Sequence, residues 1–172
     1  IVIDGRAEDN IIVKAYDEMA KRHTLTGVDI TITKNIPIQA GMGGGSADCA
    51  FTIKGLNQLF SLNLTDREMR DIAKGLGADC AFFINPTPAY ATGIGEKLTP
   101  LAAAPDCYVL VAKPDINVST KYVYEHLDAQ EIIKHPDIDG MVEAIAEESL
   151  QGILDRMENV LETVTVRAYP VI

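Results

Sequence analysis

The sequence predicts an α+β fold, on three observations. Apolar residues recur at helical spacing over 8–22, 47–60 and 65–76, and they alternate with polar residues over 28–33 and again around 89–101. Between these patterns lies a glycine-rich segment, Gly41 to Gly45, that carries an alternating stretch straight into a helical one. A chain of 172 residues, 47% of them hydrophobic, has enough apolar side chains to enclose a sizeable core around such elements.

The elements follow in order. Ile12, Ala15, Tyr16, Met19 and Ala20 share one helical face, with Glu8 and Asp9 ahead of them and Lys21, Arg22 and His23 behind, a charge order that suits the helix dipole. Gly27 breaks this pattern, and Val28, Ile30 and Ile32 then alternate with Asp29, Thr31 and Thr33 as a half-buried strand. After the glycines a helix begins near Ala47, with Ala50, Ile53, Leu56 and Phe60 on its apolar face, and ends before Asn63. Thr65 and Glu68 form a capping box that opens the next helix, which turns Met69, Ile72, Ala73 and Leu76 inward and stops at Gly75 and Gly77. A short apolar run, Cys80 to Ile84, leads through the Pro86–Pro88 turn into a hairpin, 89–92 and 96–101, around Gly93-Ile94-Gly95. Cys107 to Ala112 reads as a fully apolar strand, and Ser119 to Leu127 as a short helix. Residues 128–152 are acidic with short helical stretches, 159–166 is apolar and mixed, and the change in pattern places a domain boundary near residue 113.

Bulk properties narrow the function. A formal charge of −10 argues against nucleic acid as a partner, since a backbone binder normally presents a basic face. Cys49, Cys80 and Cys107 are odd in number and lack CxxC spacing, which indicates neither a disulfide framework nor a zinc site and suits a reducing cytoplasm. No apolar run approaches the length of a membrane span, and no basic, apolar leader precedes the first helix. The chain starts at Ile1 inside an apolar stretch and stops on Tyr169-Pro170-Val171-Ile172, so both ends read as cut.

The chemistry concentrates in PIQAGMGGGSADCAF, residues 37–51. Glycines let backbone N–H groups approach an anion, the following helix aims its unpaired N–H groups at the same spot, and Ser46 adds a hydroxyl able to hold phosphate or Mg²⁺. Neither familiar nucleotide motif fits. Gly45 is followed by Ser46-Ala47 where a Walker loop needs Lys-Ser or Lys-Thr, and Gly41, Gly43 and Gly45 do not make G-x-G-x-x-G. A phosphate cradle needs a partner base, and Asp79, between a glycine turn and the Cys80–Phe83 wall, is the strongest candidate; Asp71 and Asp106 are weaker. Asp79 would equally serve as a turn residue, and Asp48 as a charge on the helix dipole or a Mg²⁺ ligand. His23, His126 and His135 lie in polar surroundings and read as surface residues.

The ordered set DNIIVKA, IPIQAGMGGGSAD, LGADCAFFI, ATGIGEKLTPL, PDINVST and NVLE resembles the GHMP kinase superfamily over about residues 9–170. The resemblance implies a nucleotide lobe like the second domain of ribosomal protein S5 (ribosomal protein S5 domain 2-like), over 1–113, and part of a ferredoxin-like second lobe, over 114–172. It implies ATP with Mg²⁺ and a small-molecule acceptor, a cytidine-diphosphate-linked methylerythritol of non-mevalonate isoprenoid synthesis. Position by position, Asp79 matches the catalytic aspartate that takes the proton from the acceptor hydroxyl. Gly41, Gly43, Gly44, Gly45 and Ser46 match the loop around the ATP phosphates, Asn10 and Lys34 match the adenine pocket, and Thr120 and Tyr124 match the cytidine end, where Tyr stands for the more usual Phe. A lysine-bearing first strand and a closing glycine motif of the family have no counterpart here, so the resemblance implies that this stretch alone is poorly active. A nucleotide-binding domain without chemistry, or a kinase of this superfamily with another acceptor, stays open at this point.

Overall fold

The structure is a computed structural model that describes residues 7–37, 40–127 and 135–172. It divides into two compact units, Ile1–Thr99 and Pro100–Ile172. The α+β expectation holds, with helices accompanied by a two-stranded sheet.

In the first unit a 3-10 turn, Ala7–Asp9, leads into α1 (Ile11–Ala20); α2 (Gly44–Leu59) and α3 (Asp66–Ala73) follow, then a 3-10 segment, Ala78–Ile84, and the hairpin β1 (Ala89–Thr92) and β2 (Lys97–Pro100). The helical faces read from spacing are the ones that meet. Ala15 and Met19 of α1, Cys49, Ala50, Ile53 and Leu56 of α2, Met69, Ile72 and Ala73 of α3, and Cys80 and Ile84 form one buried cluster. Each apolar side chain of Leu or Ile size withdrawn from water in this way contributes about 1.5–3 kcal/mol.

Local hydrogen bonds fix the joints. Asn57 on α2 donates to the Leu64 carbonyl at 3.2 Å and accepts from the Leu64 N–H at 2.9 Å, which anchors the connection to α3. The capping box is formed as expected: Thr65 N–H donates to Glu68 Oε2 at 2.8 Å, and Glu68 N–H donates to Thr65 Oγ1 at 3.3 Å.

Three expectations change, and one run left without an element acquires one. The helix expected from Ala47 begins at Gly44, so Gly44, Gly45 and Ser46 form its first turn. Those positions have N–H groups without intrahelical acceptors, and low helix propensity matters least there. The run Cys80–Ile84 belongs to the 3-10 segment, which buries Cys80, Ala81 and Ile84 together. Residues 28–33 make no β-ladder, although burial alternates residue by residue as the pattern requires: Val28, Ile30 and Ile32 are half-buried, while Asp29, Thr31 and Thr33 are exposed. Cys107–Ala112 is likewise not a strand, and Tyr108–Val111 is exposed. A strand exists only where a neighbour takes its N–H and C=O groups, and among the described residues neither segment has such a neighbour.

The second unit contains α4 (Thr120–His126), α5 (Ile138–Ala146), α6 (Leu150–Leu154) and α7 (Glu162–Ala168), the last within and just beyond the mixed stretch 159–166. Part of the acidic stretch, 128–134, lies outside the described residues. Asp137 caps α5 by accepting from Gly140 N–H at 3.0 Å and pairs with Arg156 Nε at 3.0 Å. The Gly140 hydrogen bond first, and Arg156 second, hold the Asp137 carboxyl below its usual range. A depressed folded-state pKa gives stability that is present above the unfolded value and lost as pH falls through the folded one. Asp137→Asn is therefore expected to lower the thermal midpoint near neutrality, with the gap to wild type closing as pH falls, as scanning calorimetry from pH 7 down to 3 would record.

No helix among the described residues is long and apolar enough to cross a membrane.

Candidate active site

The glycine segment forms a bend with two left-handed residues, Gly41 at φ +68° and Gly43 at φ +65°. Gly43 is also crowded, since a Cβ there would stand 2.6 Å from Phe83 Cζ. Gly44 packs more loosely, with Ile36 Cγ2 3.0 Å and Lys34 Nζ 3.7 Å from the corresponding position. At Gly45 no protein atom lies within 4 Å of that position, and the residue is exposed. Packing and backbone geometry thus account for Gly43, whereas Gly45 leaves room outside the fold for something else.

Helix α2 opens differently from its neighbours. α1, α3, α4, α5 and α6 each begin at a side chain that accepts from their own first turn, whereas α7, like α2, has no side-chain cap. α2 begins at Gly43, with no side-chain cap, so no capping side chain takes the N–H groups of its first turn at the positive end of the dipole. An oxyanion placed there would meet donors already in position. Lys34 adds a cation at the same turn, where it pairs with Asp48.

The segment bearing the candidate base packs beside this bend. Asp79 is exposed at the start of the Ala78–Ile84 segment, while Cys80 beside it is fully buried. Phe83 reaches from the same segment to Gly43, so the glycine bend and the Asp79 segment are packed on each other. Cys49 of α2 and Cys80 of the Asp79 segment are free, fully buried thiols whose interaction drives their acidities apart. The bond to Cys80, then burial, pushes the Cys49 thiol well up, so Cys49 stays protonated. Cys80 is held down by that same bond against its burial, with Ser46 assisting.

The structure brings the glycine segment, Ser46, Lys34 and the Asp79 segment into one packed unit. Asn10 lies in the same unit as the N-cap of α1, its Oδ1 accepting from Ile12 N–H at 2.9 Å. Thr120 and Tyr124 lie on α4 in the second unit, where Tyr124 is exposed. Neighbouring Tyr122 stacks on His126 with ring centroids 4.0 Å apart. Sequence reasoning missed the Phe83 contact, the Lys34–Asp48 pair and the burial of the Cys49 and Cys80 thiols; two adjacent aromatics after Asp79 were the one visible signal.

Comparison with known proteins gives the same picture. Residues 10–86 match the family described as GHMP kinases N terminal domain. A Lachnospira eligens protein named 4-diphosphocytidyl-2-C-methyl-D-erythritol kinase is 46% identical over 166 residues, covering 96% of this chain and 58% of that protein. A Caldicellulosiruptor bescii protein of the same name is 42% identical, covering all of this chain and 66% of its own length. A Geobacillus protein of that name is 49% identical over 144 residues, covering 84% of this chain and 50% of itself. The crystal structure of a 4-(cytidine 5'-diphospho)-2C-methyl-D-erythritol kinase superposes with a TM-score of 0.75 at 28% identity, covering 98% of this chain and 60% of that one. The chain spans between half and two thirds of the length of these curated relatives. By its matched domain, its relatives and its fold, the chain belongs to the GHMP kinase superfamily.

Proposed function

We propose that the protein carrying this chain is a cytoplasmic kinase that transfers the γ-phosphoryl group of ATP to a hydroxyl of 4-diphosphocytidyl-2-C-methyl-D-erythritol, in non-mevalonate isoprenoid precursor synthesis. The observation that carries this reading is the packing of an uncapped, glycine-opened helix against the segment that bears Asp79. The relatives named above supply the acceptor.

Phosphoryl transfer asks a protein for positioning and charge stabilisation more than for covalent chemistry. In this reading the N–H groups at Gly44, Gly45 and Ser46 hold the phosphate oxygens, with Gly41 and Gly43 shaping the bend. Asp79 accepts the acceptor's hydroxyl proton as the oxygen attacks phosphorus. Asn10 and Lys34 line the adenine pocket, and Thr120 and Tyr124 face the cytidine, where the Tyr124 ring offers a stacking surface. Residues 1–113 would be the ATP-binding domain and 114–172 the start of the C-terminal domain.

The half-buried Ser46 hydroxyl, in a first turn without a cluster of three acidic, His or Cys groups among the described residues, fits Mg²⁺ held chiefly by phosphate oxygens and water. Bound there, the ion would neutralise charge on the β- and γ-phosphates.

The test uses the full-length protein with ATP, Mg²⁺ and the cytidylated acceptor, with phosphorylated product followed by mass spectrometry. Product formation that CDP inhibits competitively against the acceptor is expected. ATP binding without transfer would overturn the kinase reading, and transfer indifferent to CDP would overturn the acceptor.

A further inference from the structure

Asp79 is exposed, and among the described residues its carboxylate has no hydrogen-bond or ion-pair partner, so nothing polar fixes the direction in which it points. What stands beside it is backbone. A Cβ on Gly95 would lie in van der Waals contact with Asp79 Oδ1, at 3.5 Å, so the hairpin turn borders the carboxylate on that side. The turn is unusual: Gly93 has φ +73° and Gly95 φ +104°, with Gly95 N–H donating to the Thr92 carbonyl at 3.3 Å. Ile94 between them is 76% exposed, so its side chain is turned away and the turn is not held by burial.

Glu96 does the holding. Its Oε2 accepts from Ile94 N–H at 2.7 Å, and both carboxylate oxygens lie 2.6 Å from where a Cβ on Gly93 would be. The carboxylate thus folds back over the glycine face and clamps the bend from inside. Hydrogen bonds from its own N–H and from Ile94 N–H keep Glu96 ionised, with Lys97 and Lys74 contributing.

We propose that Glu96 is a positioning residue for Asp79: by clamping the Gly93–Gly95 turn it sets the backbone wall that orients the Asp79 carboxylate toward the acceptor hydroxyl. This rests on the reading of Asp79 as the base. Displacing such a wall by about 1 Å is enough to cost on the order of 10²-fold in rate without touching substrate binding.

In the full-length protein, Glu96→Ala is expected to lower kcat roughly 10- to 100-fold, with the KM for ATP and the thermal midpoint unchanged. Glu96→Gln keeps an oxygen that accepts from Ile94 N–H and is expected to retain most of the turnover. Gly95→Ala, which adds an atom beside Asp79, is expected to lower kcat as Glu96→Ala does and, because it strains a left-handed residue, to lower the thermal midpoint as well. Wild-type kcat in Glu96→Ala, a loss that follows KM or the thermal midpoint, or an equal loss in Glu96→Gln would each overturn the proposal. Asp79→Asn measured alongside separates the two readings: an inactive Asp79→Asn with a fully active Glu96→Ala sinks this proposal alone, whereas full activity in Asp79→Asn sinks both.

Discussion

Asp79→Asn in the full-length protein is expected to lower kcat by about 10²- to 10⁴-fold, the range that a positioned general base contributes, while ATP affinity stays at its wild-type value. Asn keeps the shape of the side chain and removes its basicity, and Asp79 is exposed, so the fold has no stake in the charge. Neighbouring Cys80, Ala81 and Ile84 anchor the segment in the core whatever stands at 79. Single-turnover kinetics together with nucleotide titration measure the two halves separately. Unchanged turnover would remove Asp79 from the chemistry.

The glycine bend is tested by two substitutions that look alike and are expected to differ. Gly45→Ala meets no protein atom within 4 Å, so it should leave the thermal midpoint in place while raising the KM for ATP by 10-fold or more, an effect on the order of 1.4 kcal/mol. Gly43→Ala must place a side chain at φ +65° and drive it into Phe83, so it should cost about 1–2 kcal/mol in backbone strain alone and weaken ATP as well. If Gly45→Ala binds ATP normally, the open space at the start of α2 is not a phosphate cradle. Calorimetric unfolding and ATP titration of both variants decide the matter.

Much of the first unit was legible because its signals are local. Thr65 and Glu68 stand three residues apart and satisfy each other's backbone within one helical turn, so the start of α3 needed no knowledge of the rest of the fold. The hairpin around Gly93 and Gly95 was legible for the same reason, because few residues other than glycine adopt those φ values. The segment 28–33 was half legible. Its alternation correctly gave which side chains turn inward, but pairing depends on a neighbour far away in sequence, and no pattern within the segment can supply one. Cys107–Ala112 failed on the same ground, since apolar character alone does not make a ladder.

Within the candidate site the parts were visible and their assembly was not. Gly41–Ser46 and Asp79 stood out by residue type, and the ordered motifs tied them to a kinase superfamily. That the bend at Gly43 rests on Phe83, that Lys34 pairs with Asp48, and that the Gly95 turn stands beside Asp79 are contacts between segments distant along the chain. Sequence by itself determined the fold class, the helical faces and the residues able to do chemistry, because spacing and side-chain type act over a few residues. Tertiary structure alone decided which of those residues face one another, because only core packing brings α2, the Asp79 segment and the hairpin turn to a common surface.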